Sequence, residues 1–234
     1  MKRLLVVVTG EPAEPVAARH GDFVRILERA LGPRFERSVR VLDARREALG
    51  GAAQNADGLV ITGSAAHVHE REPWVVATEE WLAREVGDGR PVLGLCFGHQ
   101  LLASALGGEV TSNPRGREMG TVTLERLADD PILAGIPPRF SANTCHQDTV
   151  ARLPEGARTL ARSELDDHQC VRFREGSYGV QFHPEFDRAI MRGYVEARRD
   201  ALREERRDVE QLLGDACDTP DAARVLANFL ALLP

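Results

Sequence analysis

Residues Leu4 to Val8 read Leu-Leu-Val-Val-Val, an apolar run with no polar interruption. A strand with one wet face alternates apolar and polar residues, so this one is expected to be buried on both faces, as in a parallel sheet covered by helices. Parallel strands need crossover connections, and the chain supplies them. Thr9-Gly10-Glu11-Pro12 ends the run. Phe23, Ile26, Leu27 and Ala30 then recur at helical spacing, with Asp22 in front and Gly32-Pro33 as the stop. Val39, Val41 and Leu42 mark a second strand, and Gly58 to Thr62 a third that runs into Gly63-Ser64. Trp74, Val75, Thr78, Trp81, Leu82 and Val86 form an amphipathic helix starting beside Pro73, and Val92 to Leu95 is the next strand. This alternation predicts a doubly wound, mostly parallel open α/β sheet flanked by helices, with functional groups at the carboxyl ends of its strands.

Past residue 108 the pattern changes. Glu109 to Thr111 and Thr121 to Leu124 read as short strands around a polar loop, Ser112 to Met119. Phe140 to Thr144, Ala157 to Ala161, Gln169 to Phe173 and Tyr178 to Phe182 follow as further strands. From Asp187 to Leu233 the chain reads as helical, with Thr219-Pro220-Asp221 opening the last helix. The charged run Arg198 to Glu210 is a solvated face rich in i,i+3 and i,i+4 pairs, and offers a docking surface for another protein. At 234 residues, a single domain spanning 1–234 is the expectation.

Composition narrows the function. A net charge of -6, with arginines scattered among acids, argues against nucleic-acid and anionic-membrane partners. No apolar stretch approaches a membrane span and Lys2-Arg3 opens no signal peptide, so a soluble cytoplasmic protein is expected. Lys2 is the only lysine. It opens a strand, which leaves neither a P-loop nor a Schiff-base lysine. The four cysteines, Cys96, Cys145, Cys170 and Cys217, show no C-x-x-C spacing and are expected as free thiols. No cofactor is implied.

The chemistry concentrates at Gly94-Leu95-Cys96-Phe97-Gly98. A strand ends at this point and Leu101 to Leu106 continues as helix. The spacing G-x-C-x-G is the cysteine form of a nucleophile elbow, whose small neighbours let a strained turn lift one side chain out. At a helix N-terminus the thiolate is favoured. A buried cysteine in a strand is the plain alternative, and the two glycines, the helix and Gln100 count against it. At the end of the Tyr178 strand, alternation sends His183 to the face opposite Tyr178, Val180 and Phe182. Pro184 stops the strand there, and Glu185 lies near enough to orient the imidazole. Cys96 as nucleophile, His183 as base and Glu185 as orienting acid make a catalytic constellation. The N–H of Phe97, with a second N–H from the Gly63-Ser64 turn, would stabilise an oxyanion.

Two other clusters invite chemistry. Cys145 and His146 are neighbours, but adjacent side chains of an extended chain point to opposite faces and do not pair. His67 and His69 share a face of an extended segment. Without a third ligand at a recognisable spacing they read as a surface loop or lid, and no metal is assigned.

Gly94-Leu95-Cys96-Phe97-Gly98-His99-Gln100 together with Gln181-Phe182-His183-Pro184-Glu185-Phe186 resembles the class I, or triad, glutamine amidotransferases, particularly the glutaminase part of GMP synthase and its stand-alone relatives. Proteases of the DJ-1 type have a similar elbow but place a histidine directly after the cysteine, where this chain has Phe97. The resemblance covers nearly the whole chain and implies a flavodoxin-like fold. It also implies hydrolysis of the glutamine side-chain amide through a γ-glutamyl thioester on Cys96, releasing ammonia, with acceptor chemistry on a partner such as a synthetase. It assigns Gln100 and the backbone around Cys145, His146 and Gln147 to holding the amino acid's α-groups. Glu118 matches a further family position. Many members carry Gly-Gly-Pro where this chain has Gly63-Ser64-Ala65, which leaves the second oxyanion donor open and favours a stand-alone subgroup. Two alternatives stay open: a hydrolase or peptidase of other γ-glutamyl compounds, and a non-catalytic regulatory binding protein.

Overall fold

The computed structural model describes residues 2–32 and 39–234. Nine of its strands form one sheet, in the order β2 (Val39–Asp43), β1 (Leu4–Val8), β3 (Gly58–Ile61), β4 (Val92–Leu95), β11 (Ser177–Val180), β10 (Cys170–Arg174), β9 (Arg158–Arg162), β6 (Glu118–Arg126) and β7 (Arg139–His146). The first five are parallel to one another, as the Leu4–Val8 run requires. From β11 onward the pairing is antiparallel. The doubly wound half thus matches expectation, and a four-stranded antiparallel extension is added to its edge.

Alternation along β1 divides the core. Leu4 and Val6 face one side, where α2 (Phe23–Leu31) and α8 (Pro220–Leu232) deliver Leu27, Val225 and Phe229. Leu5 and Val7 face the other, against α3 (Pro73–Gly87) and α4 (Phe97–Ala105), with Trp81, Leu82 and Leu101. All five β1 side chains are buried. Burial on both faces at roughly 25 cal/mol per Å² of apolar area is what holds this strand in the middle of the sheet.

A third apolar cluster lies under α1 (Glu14–His20), α5 (Arg188–Ala197) and α7 (Val209–Asp215), around Val16, Ile190, Tyr194 and Leu213. Asp22 and Asp187 cap α2 and α5 through their carboxylates, each accepting an N–H at 2.8 Å. Gly32 closes α2, while Pro33 lies outside the described residues.

Several boundaries differ from expectation. The helix α1 has a short proline-interrupted sequence and no clear periodicity, and it gains its order from packing on α5. The polar loop expected over Ser112–Met119 is shorter, because Glu118, Met119 and Gly120 already pair with His146, Cys145 and Thr144. A small second sheet joins β5 (Glu109–Ser112) to β8 (Asp148–Arg152), the latter unforeseen. The C-terminal segment is broken into α5, α6 (Arg199–Glu204), α7 and α8, with Leu202 and Val209 buried inside the run expected to be solvated. Among the described residues, no helix is long and apolar enough to cross a membrane.

Candidate active site

The sheet order places β1 between β2 and β3, so the β1–β2 and β2–β3 crossovers run in opposite directions. A crevice opens outside the carboxyl ends of the strands at such a point. Thr9, Gly63, Cys96 and His183 all follow strands that end there.

The elbow comes first. The Cys96 N–H still donates to Val180 O at 2.8 Å, continuing the pairing with β11, and then the chain reverses into α4. Cys96 takes φ 51° and ψ -104°, a backbone that L-residues rarely adopt and that costs on the order of 1–3 kcal/mol. Its flanking glycines explain the sharpness. A Cβ on Gly94 would lie 2.4 Å from Gly98 O, and one on Gly98 would lie 2.5 Å from Ile61 O. The first turn of α4 therefore presses directly on the main chain of β3 and β4, and only glycine fits at both positions.

His183 arrives from the neighbouring strand. Beyond Val180 the Gln181 N–H donates to Gln169 O at 2.9 Å and the His183 N–H to Asn143 O at 2.8 Å. The Asn143 side chain in turn donates to Phe186 O at 3.0 Å, so both ends of the His183–Phe186 segment are tied to β7. His183 Nδ1 lies 2.8 Å from Glu185 Oε1. Since a carboxylate only accepts, this bond puts the proton on Nδ1 and leaves Nε2 as the acceptor. The imidazole stacks on Phe186 with centroids 3.9 Å apart, and Phe186 stacks on Tyr194. Gly63 sits between the two halves: a Cβ there would be 3.2 Å from His183 Cε1 and 3.8 Å from Cys96 Cβ.

The helix N-terminus is not the dominant influence on the Cys96 thiol. Burial pushes the Cys96 thiol well above its ordinary value, helped by Cys145, Glu185 and Asp148, and only the Phe97 N–H pulls it down. The helix start is too weak to offset burial among acids. The sulfur does have a second polar neighbour, Gln181 Nε2, at 3.5 Å. Gln100 holds that amide in place, donating to Gln181 Oε1 at 2.9 Å and to Asp148 O at 3.0 Å. Both hydrogens of the Gln100 amide are thereby used within the protein, which leaves its oxygen for a ligand.

Beside Cys96, the Gly63 turn is fixed by Thr9, whose hydroxyl donates to Thr62 O at 2.9 Å or Gly63 O at 3.1 Å. Ser64 Oγ accepts from the Ala66 N–H at 3.1 Å, closing the turn locally. Among the described residues, the N–H groups of Phe97, Gly63 and Ser64 donate to no carbonyl or side-chain acceptor beyond the Cys96 sulfur.

These groups line a cleft of about 190 Å³, of amino-acid scale. Cys145, His146 and Gln147 form its far wall, with Cys145 O 4.0 Å from the Cys96 sulfur. The His146 ring is turned into the protein. Its Nδ1 meets Asp148 O at 2.9 Å and its Nε2 meets Glu118 Oε2 at 3.1 Å, both acceptors. Burial opposes charge on this ring, but the Glu118 bond, Asp166 and the Asp148 carbonyl outweigh it and raise its pKa. Gln169 adds a 2.5 Å bond to Glu118. Glu118 thus serves as counter-ion beneath the wall, a role its sequence position did not disclose.

Three cleft residues escaped sequence reasoning: Tyr194, Arg117 and Arg198. Tyr194 lies in α5, Arg198 follows its last residue and Arg117 precedes β6, elements whose placement depends on the third apolar cluster. Gln181 was quoted with the His183 stretch without a role, and its polar side chain inside a buried strand end was the available signal.

Fold and elbow together define a class: doubly wound α/β proteins that lift one side chain on a strained strand–helix turn. The chain belongs to the class-I glutamine amidotransferase family, whose sequence profile matches residues 19–194. Among its relatives, the GMP synthase (glutamine-hydrolyzing) of Thermomicrobium roseum is 41% identical over 128 residues, covering 55% of this chain and 23% of that one. One of the subunits of the Methanosarcina barkeri GMP synthase (glutamine-hydrolyzing) is 32% identical over 171 residues, 73% of this chain and 85% of that one. Gamma-glutamyl peptidase 4 of Arabidopsis thaliana is 28% identical over 197 residues, 81% and 78% of the two chains. The chain therefore spans less than a quarter of the Thermomicrobium enzyme. A solved glutamine amidotransferase from Thermotoga maritima shares the fold with a TM-score of 0.77, at 23% identity over 99% of this chain and 97% of that one.

Proposed function

We propose that residues 1–234 act as one glutaminase unit that hydrolyses the side-chain amide of glutamine with Cys96, His183 and Glu185 as its triad. The observation that carries this reading is the 2.8 Å bond from His183 to Glu185 in a ring that meets the elbow across Gly63. His183 Nε2 takes the Cys96 proton as the sulfur attacks the amide carbon, which suits a thiol that is protonated at rest. The tetrahedral oxyanion faces the Phe97 N–H and an N–H of the Gly63-Ser64 turn. Collapse breaks the C–N bond, His183 returns the proton to the departing ammonia, and a γ-glutamyl thioester remains. Water, deprotonated by His183, attacks the thioester, releases glutamate and restores the thiol. Glu185 keeps the ring in its tautomer and balances the imidazolium.

The relative described as one subunit of a GMP synthase supports a second step, transfer of the ammonia to a separate synthetase chain. A competing reading is favoured by one comparison: the γ-glutamyl peptidase aligns over most of both chains. In that case the leaving group is an amine or amino acid. Arg117 and Arg198 on the cleft wall would suit an anionic one. Ammonia and glutamate release from glutamine, measured beside release from a panel of γ-glutamyl amides, separates the two. A strong preference for glutamine is expected, and a preference for the conjugates would overturn the first reading.

A further inference from the structure

We propose that His67, His69 and Asp148 form a binding site for a divalent transition-metal ion of the Zn²⁺ type on the rim of the cleft. The sequence offers only the two histidines, at i and i+2. The fold adds the third donor from far along the chain, at the first residue of β8.

The donor atoms converge. Asp148 Oδ2 lies 2.7 Å from His67 Nδ1 and 3.4 Å from His69 Nδ1, and the three ligand atoms all fall within 4.8 Å of one another. Bonds of about 2.0–2.2 Å to a tetrahedral ion place its ligands roughly 3.3–3.5 Å apart, so the His69–Asp148 edge already has the right length, the His67–Asp148 edge needs less than an ångström, and the His67–His69 edge is within 4.8 Å. Two neutral imidazoles and a carboxylate are the donor set that Zn²⁺, Co²⁺ and Ni²⁺ favour over Mg²⁺ or Ca²⁺. A hydrogen bond from His67 accounts for one ring. It does not account for a second ring turned toward the same oxygen, with the two ring centroids 5.3 Å apart.

The supporting groups are fixed in ways a metal site requires. Asp148 is buried, its Oδ1 accepts from Ser112 Oγ at 3.3 Å, and its carbonyl receives Gln100 and His146. Pairing of Ser112 with Asp148 in the small sheet sets its position. On the other side, Val68 is buried between the two histidines, and the Arg71–Glu79 bond at 2.6 Å ties the segment to α3. His67 and His69 themselves are about one-third exposed, so an ion has a path in. Three protein ligands leave a tetrahedral ion one open position.

The test uses the full chain carrying Cys96→Ala, which removes the reactive thiol and makes the result independent of the catalytic reading. Equilibrium dialysis against Zn²⁺ should give one bound equivalent per chain, and adding His69→Gln should weaken that binding at least tenfold. Co²⁺ loaded into the Cys96→Ala protein should show ligand-field bands without thiolate charge-transfer absorption, and these bands should fade with His69→Gln. Undiminished Zn²⁺ binding in the His69→Gln protein, a thiolate charge-transfer band pointing to Cys145 or Cys217, or absence of binding at millimolar Zn²⁺ would each overturn the proposal. Circular dichroism of each variant shows that loss of binding is not loss of fold.

Discussion

Cys145 and His146 are neighbours in the chain, and Cys96 and His183 are far apart, yet the distant pair converges on one glycine while the adjacent pair diverges. Strand geometry explains both. Alternation along β7 sends the Cys145 side chain onto the third apolar cluster and the His146 ring to the other face, where Glu118 and Asp148 hold it. Parallel pairing of β4 with β11 brings the ends of two strands together, so Cys96 and His183 meet although nothing links them in sequence. The chemistry follows the division. Burial lifts Cys145 to about 11, whereas Cys96, the nucleophile of the proposed triad, meets His183 across Gly63 and has the Gln181 amide and a helix N–H around its sulfur.

The contrast is broken or sharpened most directly by removing each sulfur. Cys96→Ala should lower turnover roughly a millionfold by analogy with triad hydrolases, while Cys145→Ala should change kcat by less than about tenfold. Comparable losses in steady-state ammonia release would reverse the assignment. Next in size is Glu185→Ala, expected to cost roughly 10⁴-fold in kcat, less than His183→Ala, because it orients the ring without taking part in proton transfer. A Glu185→Ala loss as large as that of His183→Ala would mean that the carboxylate does more than orient.

On the other side of the comparison, Glu118→Gln should destabilise the protein by about 3 kcal/mol, since it strips from the buried His146 ring the carboxylate that raises its pKa. Urea unfolding reads this. An accompanying rise in KM with kcat little changed would locate the damage in the wall made by Cys145 to Gln147 and not in the triad.

A smaller effect contrasts His146 with His99. His99 is fully buried against Phe173, neither of its ring nitrogens has a partner among the described residues, and burial lowers its pKa to about 3. The folded state keeps His99 neutral while the unfolded chain takes up a proton below about 6.5, so stability falls as pH drops from 6.5 toward 3. At pH 5 the loss should reach about 2 kcal/mol relative to pH 7. His146, whose pKa is raised, acts in the opposite direction: its contribution is complete below about 6.5 and fades as pH climbs through its higher folded value. Urea midpoints at pH 7 and pH 5 should fall for the wild-type protein and much less for His99→Leu. Equal drops would show that other groups carry the acid sensitivity.

The doubly wound half and its elbow were legible in the sequence because their signals are local. Leu4 to Val8 needs no partner to declare a strand buried on both faces, and Gly94, Cys96 and Gly98 announce a turn through their spacing. His183 and Glu185 were legible for the same reason, as a strand end stopped by Pro184. What was not legible depends on distant packing. The antiparallel pairing beyond β11 is set by partners and not by propensity, β8 is short and joins a separate two-stranded sheet, and Arg198 reaches the cleft only because α5 docks on α1. The Glu118 and Gln169 network under His146 joins four strands' worth of sequence and leaves no periodic trace. The upward push on the thiol's pKa is not legible in sequence, because burial is a property of the assembled site and a helix N-terminus is visible without it.

The backbone of Cys96 carries one last implication, for how this protein trades robustness against work. At φ 51° and ψ -104°, the position belongs to glycine, yet a cysteine occupies it. Cys96→Gly should therefore be inert but sturdier than Cys96→Ala by about 1 kcal/mol, the strain being relieved only where Cβ is absent. Selection for thermal endurance alone would erode this residue first.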